Sequence, residues 1–409
     1  MTRLILLSCS LFLAFLLAAC GRGDGGGGAV IDIAATDPSN TAIGVGLQKP
    51  ISATFKLAID ATTVDGASFT LTGPSGPVDG HIQVSVTPNV SIVSFLPSAP
   101  LAFDSDYTAR LTAGIRDRAG NSLSTDHVWR FNTGRRLAAG DAHTCARLDD
   151  GRVKCWGDNS AGQLGLGDVN GRGDNPGEMG DNLPAVDLGV GRTAVQLVSG
   201  AAHTCARLDD GRVKCWGDNS AGQLGLGDAN GRGDSPGEMG DNLPAVDLGV
   251  GCIAVQLVAG ATHTCARLDN GQVKCWGDNS AGQLGLGDVT GRGDSPGEMG
   301  DYLPVVDLGS GLMVLGLSAG ANHTCTLLDN GQVKCWGDNS AGQLGLGDVN
   351  GRGDSPGEMG DYLPVVDLGS GLPVLGLSAD ANHTCTHHDN GQVKCWGDNS
   401  AGQLGLGGN

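Results

Sequence analysis

One unit, copied five times, constrains this chain more than anything else in it. His143, His203, His263, His323 and His383 stand 60 residues apart. After each, Thr-Cys-x-x-x-Asp-x-Gly-x-Val-Lys-Cys-Trp-Gly-Asp-Asn-Ser-Ala-Gly-Gln-Leu-Gly returns unchanged. A fixed period of this length marks a stack, a propeller or an array rather than one shared core. Within a copy, Thr144 to Leu148 and Val153 to Trp156 read as short strands around Asp149-Asp150-Gly151. A three-residue hairpin loop places its third residue in the left-handed region, where glycine meets no steric penalty. That register sets Cys145 directly opposite Cys155, close enough for a disulfide. It predicts five bridges: Cys145–Cys155, Cys205–Cys215, Cys265–Cys275, Cys325–Cys335 and Cys385–Cys395. Zinc sites favour short Cys-x-x-Cys knuckles, which do not occur here.

Two further apolar runs, Pro184 to Leu188 and Ala194 to Val198, follow the first hairpin and return after the next three. Counted with it they make four short strands per repeat, the content of one propeller blade. Trp156, Trp216, Trp276, Trp336 and Trp396 supply one large apolar group per copy, placed for core or inter-blade packing. The pattern Ala-Gly-x-x-His-Thr through Gly-x-Val-x-x-Trp-Gly-x-Asn-x-x-Gly-Gln-Leu-Gly, seen from Ala139 to Gly165 and in the later copies, resembles the repeat of the regulator of chromosome condensation family. The resemblance implies a β-propeller, usually of seven blades. Five hairpins here predict about five blades or an incomplete ring.

The chain opens with Arg3, an apolar run from Leu4 to Leu17, and Leu17-Ala18-Ala19-Cys20. A basic start, a short apolar core and small residues before a cut describe an export signal rather than a membrane span. The ending resembles the lipobox of bacterial lipoproteins. That resemblance implies cleavage before Cys20, lipid attached to Cys20, and, with Gly21 following, the outer membrane. Export also agrees with disulfides rather than free thiols. Residues 21–29 are a glycine-rich tether.

Residues 30–134 contain no cysteine. Strand-like runs at Ile51–Leu57, Ser68–Thr72, Ile82–Val86, Val90–Phe95, Tyr107–Thr112 and His127–Phe131 predict a β-sandwich. Phe95-Leu96-Pro97, Ile115-Arg116-Asp117-Arg118-Ala119-Gly120-Asn121 and Trp129-Arg130-Phe131-Asn132 resemble the SbsA-type bacterial Ig-like domain. Such domains are spacers on envelope proteins. The expected order is a leader over 1–20, a tether over 21–29, an Ig-like domain over 30–134 and propeller repeats over 135–409. With 71 glycines in 409 residues and no glycine-poor amphipathic run beyond the leader, the fold class is all-β.

The net charge is −19. Nucleic-acid binding needs a basic stripe, and no repeat carries one. Removing Cys9 with the leader and Cys20 by lipidation leaves the five pairs and Cys252, an odd thiol. The loop carrying Asp168, Asn170, Asp174, Glu178 and Asp181 occurs four times; it reads as a solvated acidic loop, with its clustered oxygens a weak calcium candidate. Arg172 sits in its middle, and Arg172-Gly173-Asp174 spells the tripeptide that animal integrins recognise. A histidine repeated once per blade is a structural residue sooner than five active sites. No nucleophile elbow, zinc-protease helix or phosphate loop occurs.

The expectation is a non-enzymatic, lipid-anchored protein of the cell envelope, on the outer membrane or cell surface. Its repeats would present a binding surface for an extracytoplasmic protein or glycan, with no cofactor unless calcium. The alternative is a secreted or periplasmic enzyme inhibitor, as for propellers that cap β-lactamases. Guanine-nucleotide exchange, the activity of the family's eukaryotic namesake, conflicts with the leader and the cysteines. A calcium-stiffened structural array is a further alternative.

Overall fold

The computed structural model describes residues 31–40, 45, 47–73, 76–87, 89–102, 105–133, 137–148, 150–369, 373–388 and 390–407. Cys20 and the leader lie outside them. The first region is a sandwich of β1 (Ile33–Asp37), β2 (Ile51–Phe55), β3 (Phe69–Gly73), β4 (Gly76–Pro77), β5 (Gly80–Val86), β6 (Ser91–Pro97), β7 (Asp106–Leu111) and β8 (His127–Asn132). One sheet runs β1-β2-β6-β5 and the other β4-β3-β7-β8, all antiparallel. Strand β2 alternates as the pleat requires: Ile51, Ala53 and Phe55 are buried, with Ser52 and Thr54 between them. Phe55, Phe69, Trp129 and Phe131 are fully buried, and Phe69 packs 5.7 Å from both Phe95 and Trp129, ring centre to ring centre. The six strands read from sequence are all present. β1 and β4 are additional.

The second region is five separate three-stranded sheets, each formed by an inner, a middle and an outer strand. Blade one is Leu137–Ala139, His143–Arg147 and Val153–Gly157. Blade two is Ala194–Ser199, His203–Leu208 and Val213–Gly217, and blade three Ala254–Ala259, His263–Leu268 and Val273–Gly277. Blade four is Val314–Ala319, His323–Leu328 and Val333–Gly337, and blade five Val374–Asp380, His383–His388 and Val393–Gly397.

Two expectations need correction here. A blade has three strands, because Pro184 to Leu188 is not one. That run touches the outer strand through a single bond, Val186 N–H to the Val153 carbonyl, and Pro184 has no N–H to offer. Asp187 then turns the chain away by accepting the Gly189 N–H at 2.9 Å. Moreover, Ala194–Ser199 pairs with the hairpin that follows it, so a blade straddles two sequence repeats.

Consecutive sheets pack side by side through their inner strands. These strands line a central cavity of about 480 Å³. Among the described residues the last sheet does not pack on the first as consecutive sheets do. The sandwich reaches the array through Asp106, 3.7 Å from the Arg207 guanidinium. It also touches at a cavity of about 240 Å³ lined by Leu47 and Leu101 on one side and Leu315, Leu327 and Leu375 on the other.

Candidate functional site

The polar residues that recur in every copy meet at the seams between blades. His143 Nε2 lies 2.8 Å from the Thr204 hydroxyl of the next blade, and the same pairing joins His203 to Thr264, His263 to Thr324 and His323 to Thr384. Thr204 donates its own proton to the Gln163 carbonyl at 3.1 Å, which leaves its oxygen to accept from the imidazole. Each seam histidine therefore carries its proton on Nε2. The Trp216 indole N–H donates to the same Gln163 carbonyl at 3.0 Å, and Trp276, Trp336 and Trp396 repeat this on Gln223, Gln283 and Gln343.

The cysteines stand beneath this latch. Each pair faces across its hairpin in the register expected from the turn, and all five are bonded, with Cα atoms 4.1 Å apart. Cys205 and Cys215 share one apolar cluster with Leu224 and Trp276 of the next blade. The bridge thus staples a hairpin and also forms part of the seam.

Backbone room is needed around the imidazole. A Cβ on Gly200 would stand 2.2 Å from His203 Cε1, so the position tolerates only glycine while the ring stays in place. Burial pushes His143, His203 and His323 down to about 4 and His263 to about 3. Uncharged, with Nδ1 buried and facing no partner, these rings are built into the seam. Lys214 is likewise enclosed, its ammonium donating to the carbonyls of Leu188 and Gly240 at 3.1 and 2.6 Å, and burial lowers its pKa.

The acidic loop organises itself internally. Arg172 places its guanidinium 2.7 Å from the Asp168 carboxylate, while Asn170 N–H donates to the same side chain at 2.9 Å. Against the upward push of desolvation, these bonds hold Asp168 below the usual carboxylate range. The backbone N–H groups of Asn175 and Gly173 bond Glu178 and draw it down to about 2. Asp174 is engaged by the Asn175 amide, and Asp181 lies on the short 3₁₀ turn Gly180–Asn182. The cation at this loop's main carboxylate is thus Arg172. Among the described residues no three acidic, histidine or cysteine side chains converge on a metal position. The same pairing removes Arg172 from display: its side chain is 18% exposed, folded onto Asp168 rather than offered beside Asp174.

Thr204 and the Gln163 carbonyl are the seam partners that sequence reading missed. The signal was present, since a threonine follows every histidine and a glutamine precedes every Leu-Gly. Outside the seams, the rim carries Tyr302 and Tyr362, each 81% exposed, on the 3₁₀ turns of neighbouring repeats. Cys252 is a half-buried free thiol against the third blade.

Comparison with known proteins agrees with this architecture. Residues 29–133 match the bacterial Ig-like domain. Residues 135–163, 194–223, 254–283 and 314–343 match the regulator of chromosome condensation (RCC1) repeat, and a second model of that repeat matches residues 150–207. The chain is 34% identical over 271 residues to the probable E3 ubiquitin-protein ligase HERC6 of Homo sapiens, covering 66% of this chain and 24% of that protein. It is 29% identical over 279 residues to the ultraviolet-B receptor UVR8 of Arabidopsis thaliana, covering 67% and 55%. It thus spans about a quarter and about half of the length of these relatives. Human WBSCR16 is a similar solved structure, at 18% identity and a TM-score of 0.49 over 83% of this chain and 92% of that one. Prp20p of Saccharomyces cerevisiae is another, at 18% identity and 0.49 over 86% and 84%. The chain is a bacterial Ig-like domain followed by RCC1 repeats folded as a propeller-like array.

Proposed function

We propose that this is a non-enzymatic, lipid-anchored protein of the cell envelope whose repeats form a binding surface for an extracytoplasmic protein or glycan. One observation carries the reading. The histidine–threonine–tryptophan latch is the same at all four seams, while the exposed rim differs between copies. Asn182 and Asn242 give way to Tyr302 and Tyr362, and Ala185 and Ala245 to Val305 and Val365, on the same outward turns. Exposed tyrosines beside apolar residues are the composition of a protein-recognition patch. Five disulfides fit an oxidising compartment. The lipobox-like Leu17-Ala18-Ala19-Cys20 supplies the anchor, and the glycine-rich tether lets the folded part stand clear of the lipid.

The test combines anchoring and recognition. Metabolically supplied palmitate should label the chain, and Cys20→Ser should abolish the label. Protease added to intact cells should remove the repeats. A photo-crosslinker beside Tyr302 should then capture one envelope component, with Tyr302→Ser plus Tyr362→Ser lowering the yield about tenfold or more. An unlabelled chain refutes the anchor. Capture unchanged by the double substitution refutes the rim as the recognition surface.

A further inference from the structure

Blades two and three close their inner seams with a glutamine that blade four lacks. Gln196 on the inner strand stands opposite Arg207 on the middle strand, and Gln256 stands opposite Arg267. The Gln196 carboxamide reaches the inner strand of the next blade. Its Nε2 donates to the Leu257 carbonyl at 2.8 Å, and its Oε1 accepts the Leu257 N–H at 2.9 Å. Gln256 does the same to Leu317, at 3.1 and 3.0 Å. In blade four both members of the cross-strand pair are different, with Gly316 opposite Leu327. No side chain therefore extends from position 316 to Leu377, the matching residue of blade five.

The cavity of about 240 Å³ against the sandwich lies at this gap. Gly316, Leu327 and Leu377 line it, with Leu315 beside them and Leu47 and Leu101 of the sandwich across from them. Blade five keeps the register of blades three and four, so the Leu377 N–H and C=O face the preceding blade as those of Leu257 and Leu317 do. Here they face the gap. The leucines make the rest of the wall apolar. Leu47 and Leu315 are only half-buried, which leaves the cavity a way in from solvent. Asp329 also lines it and sets a negative charge beside it, which disfavours an anion more than a neutral group.

We propose that this cavity binds a small neutral carboxamide with an apolar body. The amide stands where the glutamine side chain stands in the two preceding seams, accepting from the Leu377 N–H and donating to the Leu377 carbonyl. The apolar body lies among the leucines of blade four and the sandwich. Size sets its bulk. A dry cavity of about 150 Å³ holds benzene, so one of about 240 Å³ takes an aromatic ring with a short chain carrying the amide.

The test titrates hydrocinnamamide into the full-length chain and follows the heat of binding. One molecule per chain should bind saturably. Methyl hydrocinnamate keeps the ring, chain and carbonyl but has no N–H to donate, and should bind about tenfold more weakly. Hydrocinnamate, an anion without that donor, should be weaker by at least as much. Gly316→Gln restores the residue of blades two and three at a strand position outside the left-handed region, and should abolish binding while the chain stays folded. Leu47→Trp fills the cavity from the sandwich side and should weaken binding about tenfold or more. A chain that takes up no hydrocinnamamide at millimolar concentration overturns the inference, as does binding that survives both substitutions. An ester or anion held as tightly as the amide refutes the carboxamide as the group recognised.

Discussion

The sandwich and the repeat array solve the same problem, hiding enough apolar surface, in opposite ways. The sandwich closes two four-stranded sheets over one core in which Phe55, Phe69, Phe131 and Trp129 are fully buried, with no cysteine. A three-stranded blade has no second sheet of its own. Each of its apolar clusters is completed by the neighbouring blade, as Leu164 with Trp216 and Leu224 with Trp276. A unit that cannot bury its own face is stable only in the stack. Disulfides and buried polar latches then do locally what sheet-on-sheet packing does for the sandwich. The difference teaches where each region is vulnerable. The sandwich fails through its aromatic core, and the array through its staples and seams.

The largest expected effect separates the two by redox chemistry. Each bridge closes a loop of ten residues' separation, for which chain entropy alone predicts about 2–3 kcal/mol. With five such bridges in the array and none in the sandwich, a reductant should abolish the array's calorimetric transition and leave the sandwich's in place. A single transition lost as a whole under reduction would break the comparison, because it would mean the two regions unfold together.

Next in size is a pair of tryptophan deletions. Trp276→Ala in a middle seam and Trp129→Ala in the sandwich should each cost about 3–5 kcal/mol, each lowering its own region's transition. Trp156→Ala, on the outer strand of blade one where the ring is half-buried, should cost clearly less. Equal losses at Trp156 and Trp276, read from denaturant midpoints, would show that the seam contributes little beyond the blade itself.

Acid should discriminate in the same direction. The folded array holds four histidines at about 3 to 4, below the ordinary value of 6.5, because burial disfavours their charged form. As the pH falls, the unfolded chain therefore takes up protons first, and folding loses stability from about pH 6.5 down to about pH 4. The contribution is on the order of a few kcal/mol per fully buried ring. The sandwich has only His127 lowered by burial, and that ring is half-exposed. Its carboxylates held low by hydrogen bonds, such as Asp126, weaken it only below the ordinary carboxylate range. Circular dichroism melts between pH 7 and pH 4.5 should thus show the array falling well before the sandwich, and His263→Gln should flatten that slope.

How far the molecule was legible beforehand follows from the range of its interactions. The cysteine pairing could be read because it is set inside one hairpin by a glycine at the third loop position, with Gly151 and Gly211 at φ of 80° and 82°. The strands of the sandwich could be read because alternation is a local signal. The seam could not be paired from sequence, since His203 and Thr264 are 61 residues apart and each looks like an ordinary polar residue in its own copy. The blade boundary was misread for a related reason. Pro184 to Leu188 has the apolar composition of a strand, but its partners leave it one ladder bond. At the acidic loop, composition lists the clustered oxygens and the Arg172 among them, but not that the guanidinium lies on Asp168.

The smallest expected effect concerns the exposed rim, where the copies differ. At the rim, copies one and two carry an asparagine whose amide donates to a loop carbonyl, Asn182 to Gly177 and Asn242 to Gly237, at 2.8 and 2.9 Å. Copies three and four give up that bond for Tyr302 and Tyr362, whose rings are left 81% exposed. A substitution that trades an internal hydrogen bond for an exposed aromatic ring does nothing for folding. The binding surface proposed above would give it a use outside the chain. Tyr302→Asn, which restores the residue of the earlier copies, should therefore leave the array's melting within about 0.5 kcal/mol of the parent. If instead it destabilised the array by about 2 kcal/mol or more, the ring would be packed in solution rather than displayed, and the rim would belong to the fold.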